Sequence, residues 1–312
     1  MENKDQAIKT LESLAHFDAN ETAHLLRELE NIEAQTYDIL YSKTKFRELF
    51  PVDNSADPGA ETITYRQYDT VGMASVVANY ADDLPSVDAF AKEFTARVKS
   101  LGVSHQYSVQ DLRRAAMAGS RLDERRGAIA RESIERKFDQ IAALGDSEFG
   151  IPGVLNNANI PILTLPTAGA WSTLTVDQVL ENLHFMAESP FITSKEVHTA
   201  DTMALPTAVW SYLARTYVDA TNRDTILATF LRTDPDIKTV VPWNRLDTAG
   251  VGGATRGFVY QKSPDVLKIR IPQEYEQFPP QSRNLAFVVP GHARMGGAVV
   301  YRPLACAFAD GI

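Results

Sequence analysis

The chain has 312 residues, of which 44% are hydrophobic and 23% charged, as in an ordinary folded protein that can bury a sizeable core. Its 31 basic and 40 acidic residues give a formal net charge of −9, which argues against nucleic-acid binding as the main driving force of its function. The one cysteine, Cys306, excludes an intramolecular disulfide and a cysteine-based metal cluster.

Residues 1–45 form the first predicted region, a helical arm. Apolar residues at helical spacing indicate two helices, whose stripes are Ile8, Leu11 and Leu14, then Leu25, Leu29 and Ile32. The narrow stripes allow the arm to pack on its own body or to reach another copy. The polar start of the chain and the lack of a long apolar run predict neither a signal peptide nor a membrane anchor, so we expect a soluble, cytoplasmically made protein.

Residues 46–107 are predicted to form a turn-rich linker and two strands joined by a long flap. Residues 61–68 and 93–107 alternate in polarity as strands do, and about 24 residues lie between them, too many for a tight turn. The flap is either an active-site lid (residues 71–92) or an arm that lies over a neighbouring subunit. The apolar residues expected to contact that neighbour are Met73, Val76, Val77, Tyr80, Leu84 and Phe90.

Ser108–Leu144, here called the spine, is the longest predicted helical stretch. Ser108 and Asp111 form a helix-start signal, and Gly119 predicts a kink or restart before a longer helix. Gly145 supplies the stop, so the longer helix is a rod of roughly 35 Å at 1.5 Å per residue.

One apolar stripe runs along the spine and consists of Ala130, Ile134, Phe138 and Ile141. Possible ion pairs of residues four apart flank it, Arg131 with Glu135 and Glu132 with Arg136. The stripe is typical of an amphipathic helix on a sheet, whereas the balanced charges of the other faces would also suit a strut between subunits. We expect Ile134 and Phe138 to be buried in their own subunit.

Strands and helices then alternate in a mixed α/β body. The predicted strands and helices are IPILTLP (strand), the segment after Thr175 (helix), TMALPTAVWSYLART (strand, then helix), TILATFLRTDP (helix) and IKTVVPW (strand). The chain closes on four predicted strands, in GFVYQ, VLKIRIP, LAFVVPG and AVVYRPLACAFA.

A search of the sequence for chemistry predicts no catalytic, cofactor or metal site. The glycines at 250, 252, 253 and 257 lack the lysine of a phosphate loop and precede a strand, so they indicate a loop. His184 and Glu188 are four apart without a second histidine, which favours a solvated helix face, and Cys306 is expected to be buried and inert. Lys92 and Asn156 or Asn157 could form an inter-subunit Lys–Asn bond, but such common residues carry little specificity.

Several strings resemble one family of tailed-bacteriophage major capsid proteins, which have the Hong Kong 97 type fold that encapsulins share. They are LFPVDNSADPGAETITYRQYD, VANYADDLP, FGIPGVLNN, IPQEYEQFPPQ and VVPGHARMGGAVVYRPLACAFADGI. The resemblance covers about residues 46–312. It implies an α+β capsid fold with an N-terminal arm, an E-loop in the flap, a P-domain containing the spine, and an A-domain.

The resemblance divides the chain into an N-terminal arm (1–45), a linker and E-loop (46–107), a P-domain (108–150 and 262–295) and an A-domain (151–261 and 296–312). It implies a non-enzymatic subunit that forms pentamers and hexamers in the icosahedral shell of a virion. The shell would enclose double-stranded DNA without sequence-specific binding, with portal and possibly scaffolding or decoration proteins as partners. We expect no membrane, no cofactor and no processing of the subunit.

Two other functions stay open at the level of sequence. An encapsulin-like nanocompartment would share the fold but enclose a cargo enzyme instead of DNA. An uncharacterised α/β enzyme would use the flap as a lid over clustered polar residues.

Overall fold

The computed structural model describes residues 42–71, 88–118, 122–219 and 223–312. The chain divides into two units, Met1–Lys43 and Thr44–Ile312, and all elements named below lie in the second. The two helices predicted before residue 40 lie outside the described residues. No helix within the described ranges is both long and apolar enough to span a membrane.

The second unit contains both helices and strands. The helices are α1 (Phe46–Leu49), α2 (Val109–Ala118), α3 (Leu122–Leu144), α4 (Val176–Thr193), α5 (Thr207–Arg215) and α6 (Ile226–Thr233). The first strands are β1 (Val52–Asp53), β2 (Thr62–Val71), β3 (Asp88–Arg97), β4 (Lys99–Ser108), β5 (Ile162–Leu163), β6 (Thr202–Leu205) and β7 (Thr239–Pro242). The remaining strands are β8 (Arg256–Tyr260), β9 (Leu267–Arg270), β10 (Gln273–Gln277), β11 (Gln281–Arg283), β12 (Ala286–Met295), β13 (Gly297–Val300) and β14 (Cys306–Asp310).

A five-stranded sheet in the order β5–β14–β8–β6–β7 separates two hydrophobic cores. Because successive side chains of a strand point to opposite faces, Phe258 and Tyr260 enter the first core while Val259 enters the second. The second core also contains Leu183 of α4 and Phe230 of α6, so helices cover that face. The first core joins the sheet to the spine.

Two smaller sheets hold the spine from its other side. Strand β4 pairs with β12 along its whole length, and β10 and β11 pair with β12 on the opposite edge. Strand β9 lies between β1, which is parallel to it, and β13, which is antiparallel. Helix α3 packs against β4, β12 and β13.

The predicted ends of the spine are confirmed. Ser108 Oγ accepts the Asp111 amide at 3.0 Å, and Asp111 Oδ2 in turn accepts the Ser108 amide at 3.4 Å, so the two residues form a capping box. Gly145 follows Leu144 with φ of 70°, the left-handed conformation that glycine adopts without strain. The predicted restart is also present, since α2 ends at Ala118 and α3 begins at Leu122. Gly119 itself lies outside the described residues.

Helix α4 begins as predicted at Thr175, whose side chain accepts the Gln178 amide while the Gln178 side chain accepts the Thr175 amide. The strand and helix of TMALPTAVWSYLART are likewise confirmed as β6 and α5, and TILATFLRTDP as α6 with Thr225 as its cap.

Four parts of the strand and linker prediction are wrong. The single strand expected over AVVYRPLACAFA is β13 and β14, separated by residues 301–305. The single strand expected over residues 93–107 is two strands, because the alternation of buried and exposed side chains changes phase between Val98 and Lys99. The linker contains α1 and β1, which are too short to show periodicity. Strands β10 and β11 were also not predicted, since their exposed polar residues are ordered through pairing with β12.

Candidate functional site

The antiparallel hairpin of β2 and β3 pairs from Thr62↔Arg97 to Val71↔Asp88 and is largely exposed. Beyond Tyr65 and Phe94 its side chains are exposed on both faces as far as they are described. A two-stranded ribbon is marginally stable in water unless something covers it. Within the described part of the chain, the hairpin beyond its base therefore presents two free strand edges and two uncovered faces for contact with a partner.

The base of the hairpin is fixed to the body by aromatic rings. Tyr65 stacks on Phe94 with ring centroids 5.2 Å apart and meets Tyr301 edge-on at 4.8 Å. Burial of the Tyr65 phenol raises its pKa above the usual value. Across the pair, the Thr64 and Thr95 hydroxyls lie 3.1 Å apart. These contacts hold the base in place while the rest of the hairpin projects away.

The structure describes one of the six apolar residues predicted to contact a neighbour. Phe90 lies on β3 with 62% of its surface exposed, on the same face as Phe94. Tyr68, 66% exposed, lies on the opposite face and was missed, although the alternation of residues 61–68 already placed it in a strand. The other five, Met73, Val76, Val77, Tyr80 and Leu84, lie outside the described residues.

The hairpin forms one wall of an open cleft of about 520 Å³. Its charged lining residues are Arg66, Asp265, Lys268 and Arg302, of which Arg66 contacts Glu93 at 2.7 Å and Lys268 contacts Asp53 at 2.9 Å. Hydrogen bonds from Ser55 and Lys268 hold the pKa of Asp53 below its usual range although burial opposes this.

The four residues predicted to form the core stripe of the spine are all buried, and three of them, Ile134, Phe138 and Ile141, belong to the first core. Of the flanking ion pairs, Glu132 contacts Arg136 at 3.7 Å, but Glu135 is bound by Arg47 of α1 at 3.0 Å. The partner of Glu135 comes from a distant part of the sequence, which spacing along the helix cannot reveal.

A segment that sequence reasoning treated as a linker contributes three side chains to the first core. Lys45–Asp53, here called the strap, inserts Phe46, Leu49 and Phe50 into the first core. Phe46 meets Phe138 of the spine edge-on at 6.3 Å. Phe50 contacts Trp243 and Tyr260, each at 5.6 Å between centroids. The two phenylalanines in nine positions were the only sequence signal for this role.

The glycine-rich loop is not an anion site. The Val251 amide at its centre donates to Asp310 Oδ2 at 3.1 Å, and Arg256 pairs with the same carboxylate at 2.6 Å. Although burial opposes it, hydrogen bonding to Arg256 holds the pKa of Asp310 below its usual value. Gly257 lies in β8, where an added Cβ would be 2.8 Å from Met186. The loop is therefore closed by a side chain of its own subunit.

His184 and His198 have hydrogen-bonding partners within the subunit, and Cys306 is buried. His184 does not lie on a purely solvated face, since its Nδ1 is 3.4 Å from Asp234 and its ring packs on Phe230. His198 Nδ1 is 3.2 Å from Gln261 Oε1. Cys306 is buried as predicted, and burial raises its pKa to about 12. Among the described residues, no three metal-binding side chains converge.

The residues of the possible Lys–Asn bond have different surroundings. Lys92 is exposed on the hairpin, with its Nζ 5.1 Å from the centre of the Phe94 ring. Asn156 donates to the Leu144 carbonyl at 2.6 Å and so helps to end the spine. Asn157 also caps a turn, because its Oδ1 accepts the Asn159 amide at 2.9 Å. Both asparagines thus have roles within the subunit.

Comparisons with protein families and with solved structures both find capsid proteins. A family model described as major capsid protein matches residues 72–312. The solved capsid of Myoviridae Phage XM1 is similar with a TM-score of 0.81 and 17% identity over 92% of this chain and 98% of that one. The capsid of an empty GTA particle has a TM-score of 0.63 and 10% identity over 90% and 94% of the two chains.

A third structure, from Mycobacterium phage Bobi, has a TM-score of 0.60 and 17% identity over 93% of this chain and 97% of that one. No curated protein sequence is significantly similar to the chain. At such identities the structural likeness shows a shared fold, while the family model supplies the match in sequence.

Proposed function

The chain belongs to the major capsid protein family, whose members are structural subunits of phage heads, and from this premise we propose that it assembles into the closed icosahedral shell of a tailed-phage head from pentamers and hexamers. Many modest contacts suffice for such a shell, because each later contact becomes effectively intramolecular once a ring has formed. The proposal includes a portal, enclosed double-stranded DNA and assembly in the host cytoplasm.

The observation that carries the proposal is the uncovered hairpin. Its base is fixed by Tyr65 on Tyr301, yet Tyr68 and Phe90 further out are mostly exposed on opposite faces. Exposed aromatic residues on a two-stranded ribbon favour a partner that covers both faces. We assign that partner to a neighbouring copy, with the hairpin as its E-loop and residues 71–92 as the part that contacts the neighbour.

The remaining elements take their roles from the same proposal. The P-domain comprises residues 108–150 and 262–295, and the A-domain comprises 151–261 and 296–312. Strand β13 of the second set pairs with β9 of the first, so the two domains share a sheet. The spine is then primarily a core helix of its own subunit, as its buried stripe requires. Residues 1–45 would serve as the N-terminal arm.

The proposal is tested by replacing Val71–Lys92 with a short Gly-Ser turn. The described contacts of the body do not depend on this segment, so we expect a folded, soluble subunit with nearly unchanged thermal stability that no longer forms particles in electron micrographs. The matched point variants are Tyr68→Ala and Phe90→Ala on the hairpin, with Tyr217→Ala, an exposed tyrosine of the body, as control.

Two outcomes would contradict the proposal. If the parent chain stays monomeric in light scattering across protein concentration and salt, the shell itself is wrong. If the deletion variant forms particles as well as the parent, the hairpin is not an assembly arm. Absorbance at 260 and 280 nm of particles from infected or induced cells, with a search for a portal vertex, separates a DNA-filled head from a protein-filled compartment.

A further inference from the structure

The strap contacts three parts of the second unit, namely the spine, the five-stranded sheet and the three-stranded sheet. Its α1 lies against the spine, Phe50 lies against the five-stranded sheet, and β1 pairs with β9 of the three-stranded sheet through Val52↔Ile269. The Tyr260 hydroxyl of the five-stranded sheet also donates to the Leu49 carbonyl at 2.6 Å. Nine consecutive residues thus link elements that are remote from one another in sequence.

A buried carboxylate joins the first of these parts to the second. Asp139 of the spine accepts the backbone amide of Lys45 at 3.2 Å and the Arg245 guanidinium at 2.9 Å. Arg245 follows β7 of the five-stranded sheet, and Lys45 Nζ donates to the Pro242 carbonyl of that strand at 2.6 Å. Asp139 therefore accepts from the strap and from the sheet at the same time.

An exposed arginine joins the spine to the sheet of β4, β10, β11 and β12. Arg47 of the strap donates to both oxygens of Glu135 on α3, at 3.2 and 3.0 Å, and to both oxygens of Glu274 on β10, at 3.0 and 2.7 Å. The hydrogen bond from Arg47 lowers the pKa of Glu274. The hydrogen bonds to Glu274 and Glu135 raise the pKa of Arg47. Paired hydrogen bonds from a guanidinium group to a carboxylate fix the relative orientation of the two side chains as well as their separation.

We propose that the strap sets the angle between the spine and the five-stranded sheet, and that through this angle it sets the curvature of the shell. The proposal rests on the proposed function only in its second half. Phe46 packs on the spine and Phe50 on the five-stranded sheet, and Asp139 restricts rotation between these two through Arg245 and the Lys45 amide. Arg47 fixes the orientation of the strap on the spine through Glu135. In a closed shell, a small change of this angle in every subunit changes the diameter at which the shell closes.

The angle can be measured on the isolated subunit. Cysteines at two exposed sites, Gln140→Cys on the spine and Ser211→Cys on α5, accept spin labels, while buried Cys306 does not compete. We expect a narrow distance distribution in the parent and a broader or shifted one with Arg47→Gln or Asp139→Asn. Arg232→Gln is the control, since it breaks a 2.6 Å pair with Asp224 that is remote from the strap.

The curvature is measured on assembled particles by electron microscopy. Arg47 is 39% exposed on its side chain, so Arg47→Gln should fold with little loss of melting temperature. The loss of an exposed ion pair changes the equilibrium constant between two angles of the spine and the five-stranded sheet about two- to five-fold. We expect a comparable fall in the fraction of particles with the parent diameter, accompanied by other diameters or open sheets, and no change with Arg232→Gln.

The outcomes separate the two proposals. Unchanged label distances in folded Arg47→Gln and Asp139→Asn overturn the role of the strap, whether or not shells form. Altered distances with an unchanged particle diameter overturn the link to curvature. If the parent forms no particles but its label distances respond to Arg47→Gln, the shell is wrong and the strap still sets the angle. Should Asp139→Asn fail to fold, Arg47→Gln alone decides.

Discussion

Phe138 lies at the centre of the first core, where the spine, the strap and the sheets meet. Its ring is fully buried and contacts the ring of Phe46 edge-on. Neighbouring Asp139 is buried by the same packing, but its charge is satisfied by Arg245 and by the Lys45 amide. Adjacent positions of one helix thus supply an apolar contact and a polar contact to the same junction.

Truncation of this ring tests whether the spine is a core helix. Phe138→Ala should lower the free energy of unfolding by about 3–5 kcal/mol, because it removes a buried ring and leaves a cavity. Phe149→Ala, at an exposed phenylalanine close to the end of the spine, should change it by less than about 0.5 kcal/mol. Chemical denaturation measures both. Equal effects of the two variants would contradict the assignment.

Buried core residues could be predicted from the sequence only where they repeat at helical or strand spacing. Ala130, Ile134, Phe138 and Ile141 were found because they repeat along one helix. Tyr260 was placed correctly within a strand, yet its hydrogen bond to Leu49 spans more than 200 positions and leaves no local pattern. For the same reason the partner of Glu135 was missed.

Helix α3 illustrates how an element is bounded and positioned. Its C-terminus meets the loop of Ile151–Gly153 so closely that the Val154 amide donates to the Ala142 carbonyl at 2.9 Å. Within the helix, Gly127 instead has open space around it, with Gln277 Oε1 as the nearest atom to an added Cβ at 3.5 Å. Gly127 within the helix and Gly145 directly after it therefore have opposite steric requirements.

Alanine at these two glycines should act in opposite directions. An added Cβ at Gly145 would lie 2.4 Å from the Ile151 carbonyl oxygen, and its φ of 70° costs a further ~1–3 kcal/mol in any residue with a Cβ. Gly127→Ala should instead stabilise by about 0.5–1 kcal/mol through helix propensity. Thermal melts of both variants measure this. A stabilising Gly145→Ala would contradict the described helix end.

Among the elements, the long amphipathic helices were predicted well, including α4 after Thr175 and the two-part spine. The short α1 and β1 were not, because each owes its conformation to the bodies around it. The polar strands β10 and β11 were missed since pairing with β12, and not burial, orders them.

At the scale of the whole molecule, two cores share the five-stranded sheet, and paired carboxylates link the parts around it. Glu274 and Asp310 both have lowered pKa values, in Glu274 through the hydrogen bond from Arg47, and in Asp310 through Arg256 against the opposing effect of burial. These two groups lie on different sheets. Their ionisation therefore stabilises the molecule at two separate places.

Stability should consequently fall on acidification. A carboxyl whose pKa is lower in the folded state contributes stability above its unfolded pKa, about 3.9 for Asp and 4.3 for Glu, and loses it as pH falls through the folded value. We expect a flat melting temperature above about pH 5 and a decline below it. Glu274→Gln and Asp310→Asn should each flatten that decline. An unchanged slope in both variants would contradict these ion pairs.

Buried Cys306 can report when the first core opens, because its thiol becomes accessible to reagents only then. It is the one thiol of the sequence, it lies where β14 enters the first core, and its raised pKa keeps it protonated at neutral pH. Alkylating reagents attack the thiolate of an accessible cysteine, so labelling must wait until the core opens. The rate of alkylation, followed by mass spectrometry with and without assembly, would thus time the opening of free subunits and of subunits within a particle.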